Sequence, residues 1–70
     1  MKQLSLTAQR NWVERGLTAA IRSLFAAQDW LADERVHPQA DAGSVERAER
    51  DVAFAERRVA FWTRETEKFQ

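Results

Sequence analysis

Three features of this sequence predict an all-α fold, an antiparallel two-helix hairpin. There is one cluster of chain-breaking residues, an apolar spacing of 3 and 4 on either side of it, and no alternating strand pattern. The only proline, Pro38, and one of two glycines, Gly43, fall within residues 37–44, His-Pro-Gln-Ala-Asp-Ala-Gly-Ser. Clash with the proline ring pushes the preceding residue out of the α region, so a first helix should stop near Val36. Ser5 or Thr7 can cap its start. Ser44 is the N-cap candidate for a second helix, with Glu46 in its first turn, where the helix dipole favours negative charge. The expected layout is a single domain over residues 1–70, with helix 1 at about 6–36, a loop at 37–44 and helix 2 at about 45–68. A connection this short favours antiparallel neighbours.

Helix 1 carries Leu6, Arg10, Val13, Leu17, Ala20, Leu24, Ala27 and Leu31 at alternating spacings of 4 and 3, flanked by Ile21 and Phe25. Arg10 interrupts the seam near the helix end, where its stem can lie along apolar surface with the charged head in water. Helix 2 repeats the pattern without a miss through Val45, Ala48, Val52, Ala55, Val59, Trp62, Thr66 and Phe69. Both read as the a/d seam of coiled-coil-like packing.

Each helix also carries a second apolar stripe. Trp12 and Trp30 are eighteen residues apart, five full turns at 3.6 residues per turn, and so point the same way. Ala19, Ser23 and Ala26 lie between them, with Gly16 at the margin. Trp12, Ala19, Ser23, Ala26 and Trp30 are therefore the expected dimer interface, two aromatics bracketing a track of small residues. On helix 2, Phe54 and Phe61 stand seven residues apart, nearly opposite Val52 and Val59, with Arg47, Arg50, Arg57, Arg58, Arg64 and Lys68 around them. Aromatics beside arginine are typical interface anchors, so Phe54, Arg57, Arg58 and Phe61 are the expected partner-binding residues. In a lone hairpin at least these four aromatics would sit in water.

Composition narrows the function. A chain of about 70 residues rarely stabilises itself with one core and leans on disulfides, metals or oligomers. Cysteine is absent, and His37 is the single histidine, so disulfides and thiolate metal sites are excluded and self-association is the staple that remains. No metal, cofactor or catalytic residue is expected. Ser5, Ser23 and Ser44 have no histidine at a matching spacing, there is no glycine-rich phosphate loop, and a two-helix hairpin offers no water-excluded pocket. Asp29, Asp33 and Glu34 read as the solvated end of helix 1, and His37 as a structural residue at that end. Net charge is zero, with five basic and four acidic groups in residues 1–36 and six and seven in 37–70, which disfavours nucleic acid as a partner. Charges interrupt every stretch well short of the ~20 apolar residues of a membrane span, and Met1-Lys2-Gln3-Leu4-Ser5 lacks the apolar core of a signal peptide, so a cytoplasmic protein is expected. Arginine outnumbers lysine nine to two, a bias of GC-rich bacterial, phage or plasmid genes.

These observations predict a non-enzymatic module, a homodimeric four-helix bundle that regulates, adapts or inhibits a larger protein. The alternatives are a bundle that grips nucleic acid through the arginines of helix 2, or a structural subunit of a larger helical assembly. In length and heptad layout the chain is similar to the repressor-of-primer type of antiparallel hairpin, which dimerises into a four-helix bundle and binds RNA. No residue motif is shared with that type, so no site residue carries over.

Overall fold

The computed structural model describes residues 5–39 and 41–69, and these form two helices, α1 (Leu6–Val36) and α2 (Ala42–Glu67), packed as an antiparallel hairpin. Ser5 caps α1: its Oγ accepts the Ala8 N–H at 3.1 Å and its carbonyl the Gln9 N–H at 2.9 Å. The helix ends at His37, which is extended as a residue before proline must be, and whose Nδ1 accepts the Gln39 N–H at 3.1 Å.

α2 starts three residues earlier than the sequence suggested. Asp41, not Ser44, is the N-cap; its carboxylate accepts the Ser44 N–H at 2.6 Å and its carbonyl the Val45 N–H at 3.2 Å. Aspartate caps as well as serine does, and the earlier start frees the Ser44 side chain to face α1. The loop is correspondingly short, residues 37–41.

The register follows from three cross-helix contacts. Arg10 Nη2 donates to the Phe69 carbonyl at 3.3 Å, Gly16 lies under the Trp62 ring, and Ser44 Oγ donates to Glu34 Oε2 at 2.6 Å. Buried between the helices are Val13, Ala20 and Ala27 of α1 and Ala48 and Ala55 of α2, each series repeating every seven residues. By this register the four alanines interleave in height as Ala20, Ala55, Ala27 and Ala48. Small side chains at successive levels let the two backbones approach closely, and the larger seam residues pack half-buried on the flanks. All eight predicted seam positions of α2 are at least half-buried.

Besides Arg10, whose charged head is expected in water, two predicted seam or flank residues of α1 are not covered. Leu6 is 73% exposed, because the antiparallel register carries it beyond the height of Phe69. Phe25 is 60% exposed, because it follows the seam residue Leu24 and is turned a further 100° away from α2.

Trp62 is the large group that closes the open end. A Cβ at Gly16 would lie 2.6 Å from its ring carbons, so the indole occupies the space a side chain would need. The molecule is long for its size, 53 × 21 × 16 Å, with a radius of gyration of 16.2 Å. A compact chain of this length would have about 11 Å.

Candidate protein-interaction surface

The handedness of the helices brings the two aromatic stripes together. Trp12, Trp30, Phe54 and Phe61 each stand one residue before a seam residue, namely Val13, Leu31, Ala55 and Trp62. In a right-handed helix the preceding residue is turned 100° to one fixed side of the seam. Antiparallel helices with facing seams are related by a half-turn about an axis perpendicular to the broad side of the pair, and that half-turn leaves the side facing the same way. Both stripes therefore emerge on one broad side of the hairpin.

Contacts across the pair agree. Trp12, Arg15 and Gly16 of α1 and Trp62 of α2 line one notch of about 240 Å³. The Phe61 ring meets Trp62 edge-on, with centroids 5.2 Å apart. At the loop end, Trp30 Nε1 donates to Glu34 Oε1 at 3.1 Å while Ser44 donates to the other oxygen of that carboxylate. The side thus runs from a cluster at the open end (Trp12, Trp62, Phe61), through Ser23 with Phe54 at the same height, to Trp30 near the loop.

Burial in the hairpin leaves this side open: Trp12 is 65%, Phe54 58%, Phe61 47% and Trp30 39% exposed. Ala19, Ser23 and Ala26 are exposed as well, as are Arg57 and Arg58. The structure gathers the four aromatics, Ala19, Ser23, Ala26 and Arg58 onto or beside one side of the molecule, whereas Arg57, two residues past the seam residue Ala55, stands on the outer edge of α2.

The carboxylate of Glu34 is tuned by groups at the loop end of this surface. The Ser44 hydroxyl foremost, and then the Trp30 indole N–H, hold it below its ordinary value of 4.5, helped by His37 and Arg47 and opposed by its partial burial. A carboxyl lowered by folding contributes stability above its unfolded pKa and loses it as pH falls through the folded one. The melting temperature is therefore expected to drop between about pH 6 and about pH 3 by more in the parent than in Glu34→Gln. Parallel decline of the two, followed by circular dichroism, would show that this clamp does not titrate as described.

Sequence reasoning missed the Gly16–Trp62 contact, the Arg10–Phe69 tie and the role of Glu34. Trp30 and Glu34 are four apart and could have been paired on one helix. Ser44 is ten residues from Glu34, and only the hairpin brings the two together.

A hollow of about 620 Å³ lies on the outer face of α1 between Asn11, Glu14, Arg15, Thr18, Ala19 and Arg22. It brings the Glu14 carboxylate together with the Arg15 and Arg22 guanidinium groups and the Thr18 hydroxyl. Among the described residues there is no group of three or more metal-binding side chains, and no helix is long and apolar enough to cross a membrane. No protein-family model, no curated protein and no solved structure matches this chain.

Proposed function

We propose that this chain is a non-enzymatic protein-interaction module whose aromatic side is covered by another protein, in the first place a second copy in a four-helix bundle. A dimer of this kind would serve as a small cytoplasmic regulator, adaptor or inhibitor that masks a surface of a larger protein. The observation that carries the proposal is that Trp12, Phe61, Phe54 and Trp30, all exposed, share one broad side, and grouped exposed apolar side chains mark interaction surfaces. The core supports it: among the described residues no large side chain is fully buried, and four of the five buried ones are alanine.

Phe54 and Phe61 with Arg57 and Arg58 are the residues offered to the larger protein, and Trp12, Ala19, Ser23, Ala26 and Trp30 those offered to the second copy. Since the aromatics of both sets share a side, target and copy meet the same surface. Association linked to folding makes stability depend on concentration. The melting temperature should rise by several degrees over a roughly hundredfold increase in protein concentration. A melt independent of concentration would contradict self-association.

A further inference from the structure

The surface area favours a second copy as the occupant of the aromatic side. The chain exposes 5717 Å². A folded monomer of 8.1 kDa is expected to expose about 4,500 Å², so the excess is roughly 1,200 Å². Two copies that removed it would bury about 2,400 Å², within the range of obligate homodimers and above a standard interface. Zero net charge opposes no self-association.

The shape of the side also selects an orientation. One end holds the notch between Trp12, Gly16 and Trp62; the other holds Trp30, with small side chains between. If a second copy lies face to face with its helices reversed, α1 on α1, the partner copy's Trp30 seats at the notch. Gly16 and Trp30 are equidistant from Ser23, seven residues each way, so the two-fold axis then passes at Ser23. On α2 the same axis passes near Phe54, with Asp51 and Arg58 on either side of it. Reversal sets Arg58 of one copy beside the height of Asp51 of the other, opposite charges at matched positions.

We infer that the whole aromatic side, both stripes together, closes on the same side of a second, reversed copy, with Trp30 entering the Trp12–Gly16–Trp62 notch and Ser23 at the two-fold axis. The inference rests on the dimer proposed above and adds its face and direction. One consequence concerns the larger protein: a target that recognises Phe54 and Phe61 competes with the second copy rather than adding to it.

The chain has no cysteine, so single-cysteine variants report the geometry directly. A disulfide needs Cα atoms within about 7 Å, which only residues near the axis satisfy with their own mates. Under mild oxidation, Ser23→Cys should convert to a cross-linked dimer, and Thr18→Cys, on the outer face of α1, should not. Trp30→Ala should raise the dimer dissociation constant at least tenfold in sedimentation equilibrium. Phe25→Ala, at a more exposed aromatic turned to the other side, should leave that constant within about twofold. A persistent dimer in which Ser23→Cys fails to cross-link, Thr18→Cys cross-links instead, or Trp30→Ala has no effect overturns this geometry while leaving self-association intact. A parent protein that sediments as a monomer overturns the dimer itself.

Discussion

Replacing Trp62 with alanine is expected to unfold much of the population at room temperature. Trp62 is the largest seam side chain and lies half-buried over Gly16, and the buried residues beside it are one valine and four alanines. Truncating a well-packed tryptophan costs about 3–5 kcal/mol, and a half-buried one falls at the low end. A core of this size supplies only about 3–5 kcal/mol in total, so the loss consumes most of it. Gly16→Ala attacks the same contact from the other helix. Helix propensity alone favours alanine by about 1 kcal/mol. Since the new Cβ would fall 2.6 Å from the indole, net destabilisation is expected. Gly43→Ala is the control: its Cβ would meet only Asp41 Oδ1 at 3.5 Å and Arg47 Nη1 at 3.7 Å, ordinary contacts, and stability should hold or rise. Urea melts followed by circular dichroism give all three values. A more stable Gly16→Ala would show that the indole does not need the space.

Ala20→Leu, although it adds apolar surface, is expected to destabilise by about 1–3 kcal/mol or more. Ala20 and Ala48 are 0% exposed, and the interleaved alanines set how closely the helices approach. A leucine there must force the helices apart along the seam, which also loosens Leu17 and Leu24. Ala32→Leu, at an exposed position of the same helix, should change stability by less than about 0.5 kcal/mol. Equal effects at the two positions would mean that close approach along the alanine ladder does not hold the hairpin together.

The hairpin itself was legible in the residues, because Pro38 ends one helix and the 3,4 spacing of α2 marks its buried face from Val45 to Phe69. Legibility failed where two local signals of equal strength competed, as at Asp41 and Ser44, since both are good N-caps and only the tertiary use of Ser44 by Glu34 decides between them. It failed again at Leu6 and Phe25, where periodicity gives a face but not how far the opposing helix reaches. The aromatic residues of the candidate surface were each visible by spacing. Their merger into one side was not, because that depends on the antiparallel pairing rather than on either helix alone. Gly16, read as the margin of a small-residue track, takes its meaning from a tryptophan on the other helix.

Sedimentation equilibrium of the unmodified chain at micromolar concentration tests most directly whether its aromatic side is a surface for a second copy. A mass near twice 8.1 kDa, with dissociation accompanied by loss of helix on dilution, is the result expected. A stable, fully helical species of 8.1 kDa across that range would contradict it.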